Sequence, residues 1–131
     1  MSKPFEPWAI EVVRAYLVAI KAPTTAREAK GLDKGGLSWF VKTHLCGFSL
    51  WERLVDQWFL PIVLAPRTTE ELLLRDILCI KKASFDIRLF LENPSLPETW
   101  VERSKSRLEG CRQSAIHHCN QLLEKTRRKQ T

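Results

Sequence analysis

The chain is punctuated for helices. The pattern Ser/Thr-x-x-Glu lets a hydroxyl close the first turn of a helix while the Glu reaches back to the cap. It occurs six times in 131 residues. With 16 Ser and Thr and 11 Glu in the chain, chance placement would give about one occurrence of this motif. Four of the six stand directly before an apolar-periodic run: Thr25/Glu28, Ser49/Glu52, Thr68/Glu71 and Ser95/Glu98. Thr99/Glu102 and Ser106/Glu109 fall inside the last run and are incidental.

Prolines and glycines supply the stops. Pro7 suits a first helical position, because its missing N–H has no partner there in any case. A run without Gly or Pro follows over 8–22, and Pro23 ends it. The boxes then open helices over 25–30, from 49 toward Pro61, over 68–92 and over 95–125. A Gly-containing break is expected over 31–36, and a short helix over 37–46 stopped by Gly47. The β-like run 61–66 has proline at both ends, a poor sheet member, and is expected as a connector or distorted helix end. The expected fold is all-α: a largely antiparallel, single-domain bundle of four main helices, five or six with the short ones. It covers residues 1–125, with a basic tail over 126–131.

The helix faces follow from spacing. Leu50, Trp51, Leu54, Val55 and Trp58 make one apolar face. Leu73, Ile77, Ile80, Ser84, Ile87 and Leu91 make a second. Val101, Leu108, Cys111, Ala115, Cys119 and Leu122 make a third. Between Trp8 and Ile20 only Glu11 and Arg14 are charged. A helix with so little charge is expected to be buried on nearly all sides, as the central helix or in an oligomer or partner contact. The tryptophans fall at core-type positions and are expected to pack there.

Composition limits the function classes. An apolar share of 44% excludes disorder for most of the chain. No apolar stretch is long enough to span a membrane, no signal-type segment follows Met1, and Ser2 excludes N-myristoylation. Cys46, Cys79, Cys111 and Cys119 lack the spacing of a secreted disulfide scaffold. An intracellular protein, cytoplasmic or nuclear, with free thiols is therefore expected. His44/Cys46 and Cys111 with His117, His118 and Cys119 are the candidate metal clusters. They lack CxxC or HxxxH spacing, so neither a metal nor another cofactor is expected.

The formal charge is +6, and its position matters more than its size. Residues 37–94 are balanced, whereas 95–131 carry eight basic and four acidic side chains. The expected site is therefore Arg103, Lys105, Arg107, Arg112, Lys125, Arg127, Arg128 and Lys129, with Lys30, Lys34, Lys81, Lys82 and Arg88 added if the helices pack antiparallel. Such a surface binds phosphates with little sequence preference and strong salt dependence. The expected role is non-catalytic binding of nucleic-acid backbone, RNA before DNA, as a small accessory subunit of a larger assembly. The segment 24–45 has the two short helices of a helix-turn-helix. Its second helix carries Trp39, Phe40 and Val41 among few polar side chains, which disfavours DNA reading.

Two other readings stand beside this one. The apolar first helix, residues 8–20, or the Trp-rich middle would dock a protein partner or a second copy. In addition, Arg112-Gln113-Ser114-Ala115-Ile116-His117 resembles the R-x4-H motif of the HEPN ribonuclease family. That resemblance, over six residues, implies a helical dimer in which Arg112 neutralises the scissile phosphate and His117 transfers a proton.

Overall fold

Two of the four boxes cap as their spacing predicts. Thr25 Oγ1 accepts from the Glu28 N–H at 3.1 Å, and the Glu28 carboxylate accepts from the Thr25 N–H. Hydrogen bonds from Thr24, side chain first and then backbone, hold the Glu28 carboxyl below the usual carboxylate range. Thr68 Oγ1 accepts from the Glu71 N–H at 3.1 Å, while the Glu71 carboxylate takes the N–H of Arg67 instead of the cap's own. The other two boxes do not cap. The helix after Gly47 begins at Phe48, so Ser49 is already inside it. The last helix begins at Glu98, three residues beyond Ser95.

The computed structural model describes residues 4–57 and 61–130, the side chains of Pro61, Lys129 and Gln130 excepted. Trp58, placed by spacing on an apolar face, lies outside the described residues. In chain order the helices are α1 (Pro7–Ala19), α2 (Ala26–Lys34), α3 (Gly36–Phe40) continuing as a π-turn (Val41–Leu45), α4 (Phe48–Asp56), α5 (Pro61–Leu64), α6 (Thr69–Glu92) and α7 (Glu98–Gln130). No strand occurs among the described residues. The fold is the all-α bundle that the punctuation predicts, with 61–64 helical. No described helix is long and apolar enough to cross a membrane. α7 does not stop at Lys125: it carries most of the segment expected as a tail.

The break in 31–36 is sharper than its glycine content suggests. α2 continues through Gly31 and ends at Gly35. A Cβ on Gly35 would lie 1.9 Å from the Gly31 carbonyl oxygen, so only glycine lets α3 start there. Gly47, at φ 93°, turns the chain between the π-turn and α4 in a region that disfavours side chains.

α6 and α7 pack antiparallel. Asp86 meets Arg107 at one end of their contact and Asp76 meets His118 at the other. α1 lies along the opposite flank of α7, also antiparallel, with Arg14 donating to Asn120 and Arg112 to the carbonyl of Leu17. α2 packs on α6 and is tied to it by Asp33 and Lys81. The most enclosed helix is thus α6, which buries Leu73, Leu74, Ile77, Leu78, Ile80 and Ile87. The expectation of a central α1 is corrected. α1 buries only Ala9, Ile10, Val13 and Leu17 and leaves Trp8, Tyr16 and Val18 exposed. Its scarcity of charge reflects small and apolar residues facing solvent rather than burial all round. The tryptophan expectation is corrected too. Trp51 is buried, but Trp8, Trp39 and Trp100 are each about half exposed.

Candidate functional site

The buried stripe of α7 divides its cations. Ser104, Leu108, Ala115, Cys119 and Leu122 face the core. At 3.6 residues per turn, Arg103, Arg107, Lys125 and Arg128 fall on one side of that stripe, and Lys105, Arg112 and Arg127 on the other. The eight expected residues therefore do not form one strip. Lys129 has its side chain outside the described residues.

On the α1 side two of the three basic groups, Arg112 and Lys105, are engaged. Arg112 Nε donates to the Leu17 carbonyl at 2.9 Å and a terminal nitrogen to that of Val18 at 3.2 Å; the other terminal nitrogen meets Glu109 at 3.0 Å. A guanidinium spent on the last carbonyls of α1 serves as a C-terminal cap. Lys105 lies 3.9 Å from Glu102. Arg127 is exposed. His117 is exposed with its ring 5.6 Å from that of His118. Arg112 and His117, five positions apart, point to different sides of α7. Lys81 and Arg88 both turn to Asp33, at 2.8 and 3.9 Å, and leave the expected composite surface. Lys30 and Lys34 are exposed on α2.

On the α6 side the arrangement differs. Lys82 Nζ and Arg107 bracket the single carboxylate of Asp86, at 3.0 and 3.4 Å. Arg103 lines a groove of about 370 Å³ with Asp86, Leu89, Phe90, Leu96, Trp100 and Arg107. Arg103 has no acidic partner within 4 Å among the described residues. Arg75 lies near enough to Cys79 to act on it together with Arg107. Arg75, Lys82, Arg103 and Arg107 thus share the α6–α7 side with two carboxylates, the partly exposed Asp86 and the buried Asp76, which leaves a local excess of positive charge. Trp100 stands half exposed at the groove, edge-on to Phe90 with centroids 5.6 Å apart. Farther along α7, Lys125 is exposed and Arg128 pairs with Glu124 at 3.0 Å.

The α6 side also holds a polar cluster that sequence reasoning missed. Asp76 Oδ2 accepts from Ser114 Oγ at 3.0 Å and from the Nδ1 of His118 at 2.6 Å, with both the His118 and Asp76 side chains largely buried. The signal was present: Asp76 stands inside the apolar run of α6, and a carboxylate there requires partners. This network locks the α6–α7 register. Beside it, Cys79 of α6 and Cys111 of α7 face each other across the interface. Arg75 was likewise overlooked, because it lies in a charge-balanced segment.

The candidate metal-ligating residues His44 and Cys119 lie apart. Cys119 is buried in the core, whereas His44 stacks among Trp8, Trp39 and Phe40, 5.0–5.6 Å between centroids. Among the described residues, no group of three His, Cys, Asp or Glu side chains is placed to hold a metal. The chain matches no protein-family model, and searches of curated proteins and solved structures return no match.

Proposed function

We propose that this protein binds the phosphate backbone of single-stranded RNA along the α6–α7 face, without catalysis, as an accessory component of a larger assembly. The observation that carries this reading is that Arg75, Lys82, Arg103 and Arg107 share the α6–α7 face, Lys82 and Arg107 bracketing Asp86 and Arg103 and Arg107 lining a groove with a half-exposed Trp100. Cations that track a backbone next to an aromatic face suit an unpaired strand, whose bases are free to stack. The ion pairs to Asp86 do not oppose this, since Lys82 and Arg107 are each nearly half exposed and one carboxylate offsets only one of their two charges. Arg112 and His117 are left out of the site, because Arg112 is committed to the end of α1.

The test is fluorescence anisotropy of a labelled single-stranded RNA at several salt concentrations. Four displaced counterions predict an affinity loss of about 50-fold between about 50 and 200 mM salt. Affinity that does not change with salt would remove the backbone-binding reading.

A second reading has its own observation. The solvent side of α1 presents Trp8, Tyr16 and Val18, and Trp39 of α3 stands beside them, with Glu11 the one exposed charge on that helix. A face so poor in charge suits a second copy of the chain, which avoids the repulsion of two cationic molecules meeting elsewhere. Sedimentation at micromolar concentration tests it: a dimer lost on Trp8→Glu supports the reading, and a monomer removes it.

A further inference from the structure

α6 and α7 are pinned at two points, Asp86 to Arg107 and Asp76 to Ser114 and His118. The antiparallel register between those pins sets Cys79 opposite Cys111. Their thiols face each other across the helix interface, close enough to act on one another, and both are only partly buried. Cys46 and Cys119 have no such counterpart: Cys46 donates to the Gly47 carbonyl at 3.5 Å, and Cys119 is fully buried. We infer that Cys79 and Cys111 are a redox dithiol, a modification site that a small disulfide of the glutathione type oxidises to an inter-helix disulfide.

The chemistry assigns the two thiols different parts. The facing Cys111 thiol lowers the Cys79 thiol to about 7, against burial and the nearby Asp76 carboxylate, which raise it, and with smaller help from the guanidinium groups of Arg75 and Arg107. Of the two thiols Cys79 therefore loses its proton first, and the thiolate is the attacking form. Cys111 is pushed upward by its contact with Cys79 and by burial. The Cys79 thiolate attacks one sulfur of the external disulfide. A bond forms between the Cys79 sulfur and that sulfur, the external S–S bond breaks, and the departing thiolate takes up a proton. Cys111 then loses its proton to solvent and attacks the Cys79 sulfur, expelling the second external thiol. Two thiols of the chain are oxidised, and one external disulfide is reduced to two thiols. The neighbouring cations favour an anionic oxidant such as glutathione disulfide. This inference does not depend on RNA binding.

The sequence makes the test direct. Trypsin cuts after Lys42, Arg53, Arg75, Lys81, Arg107, Arg112 and Lys125, so the four cysteines fall in four different peptides. The full-length protein is incubated with oxidised glutathione near neutral pH, quenched by alkylation and digested without reduction. The expected product joins peptide 76–81 to peptide 108–112, with Cys46 and Cys119 recovered as free, alkylated thiols. Cys111→Ser is expected to stop at a stable glutathione adduct on Cys79, and Cys79→Ser to abolish the reaction at this pair. Full recovery of unmodified Cys79, an adduct on wild-type Cys79 that never closes, or a principal cross-link involving Cys46 or Cys119 would each overturn the assignment. The wild-type map is decisive even if a variant folds poorly.

Discussion

Asp33 and Asp76 are carboxylates held at 5% or less exposure in a small bundle. Each is stable there because it is fully answered: Asp33 by Lys81, which bonds both its carboxylate at 2.8 Å and its carbonyl at 2.6 Å, and Asp76 by Ser114 and His118. Removing one partner of such a pair strands the other charge in a poorly solvated place. Asp33→Ala is therefore expected to destabilise the fold by about 2–3 kcal/mol, read as a lower urea midpoint at unchanged slope. The cysteines give a pH-dependent prediction. The lowered Cys79 thiol ionises first as pH rises, so its alkylation rate climbs through pH 7. Burial pushes Cys46 and Cys119 up to about 12, and their rates stay low until strongly alkaline pH. Time-resolved alkylation with peptide mapping checks this; equal rates for the three at pH 7 would refute it. The sequence signals only that Asp76, inside an apolar run, needs partners; it names neither them nor the Cys79–Cys111 pairing. The partner of each lies more than thirty positions away, and only the helix pairing brings it close.

Among elements, the caps show what local pattern can and cannot decide. Four boxes share one spacing, yet only Thr25 and Thr68 close a first turn. Gly47, with its positive φ, starts α4 before Ser49 is reached, and the chain after Asn93-Pro94 does not become helical until Glu98. The difference is measurable. Thr25→Ala is expected to cost about 1 kcal/mol, whereas Ser49→Ala should stay within about 0.5 kcal/mol, both by chemical denaturation. Helix existence was legible because Pro, Gly and the apolar period punctuate the chain independently. The faces of α6 and α7 were legible for the same reason, since Leu73, Ile77, Ile80, Leu108 and Leu122 are all buried. The environment of α1 was not. Periodicity cannot distinguish a helix enclosed on all sides from one whose outer side is also apolar, and Trp8 and Val18 belong to the second kind.

At the scale of the whole molecule, net charge and charge arrangement separate. The sequence concentrates its basic excess after residue 95, and that excess is real. Folding then splits it about the buried stripe of α7. Arg112 goes to the α1 carbonyls and Lys105 to Glu102, while Arg103 and Arg107 join residues of the charge-balanced α6. A count along the chain locates a basic helix; it cannot say which cations share a face, because that depends on the neighbour each side meets. The proposed RNA-binding face is therefore composite, drawn equally from α6 and α7. The most direct measurement is RNA anisotropy on two double charge reversals of equal net charge. Arg75→Glu with Arg103→Glu alters the α6–α7 face, and Lys105→Glu with Arg127→Glu alters the opposite side. The account predicts a loss of at least tenfold for the first and less than threefold for the second, in keeping with a backbone contact made on one side only. Equal losses for the two pairs would contradict it.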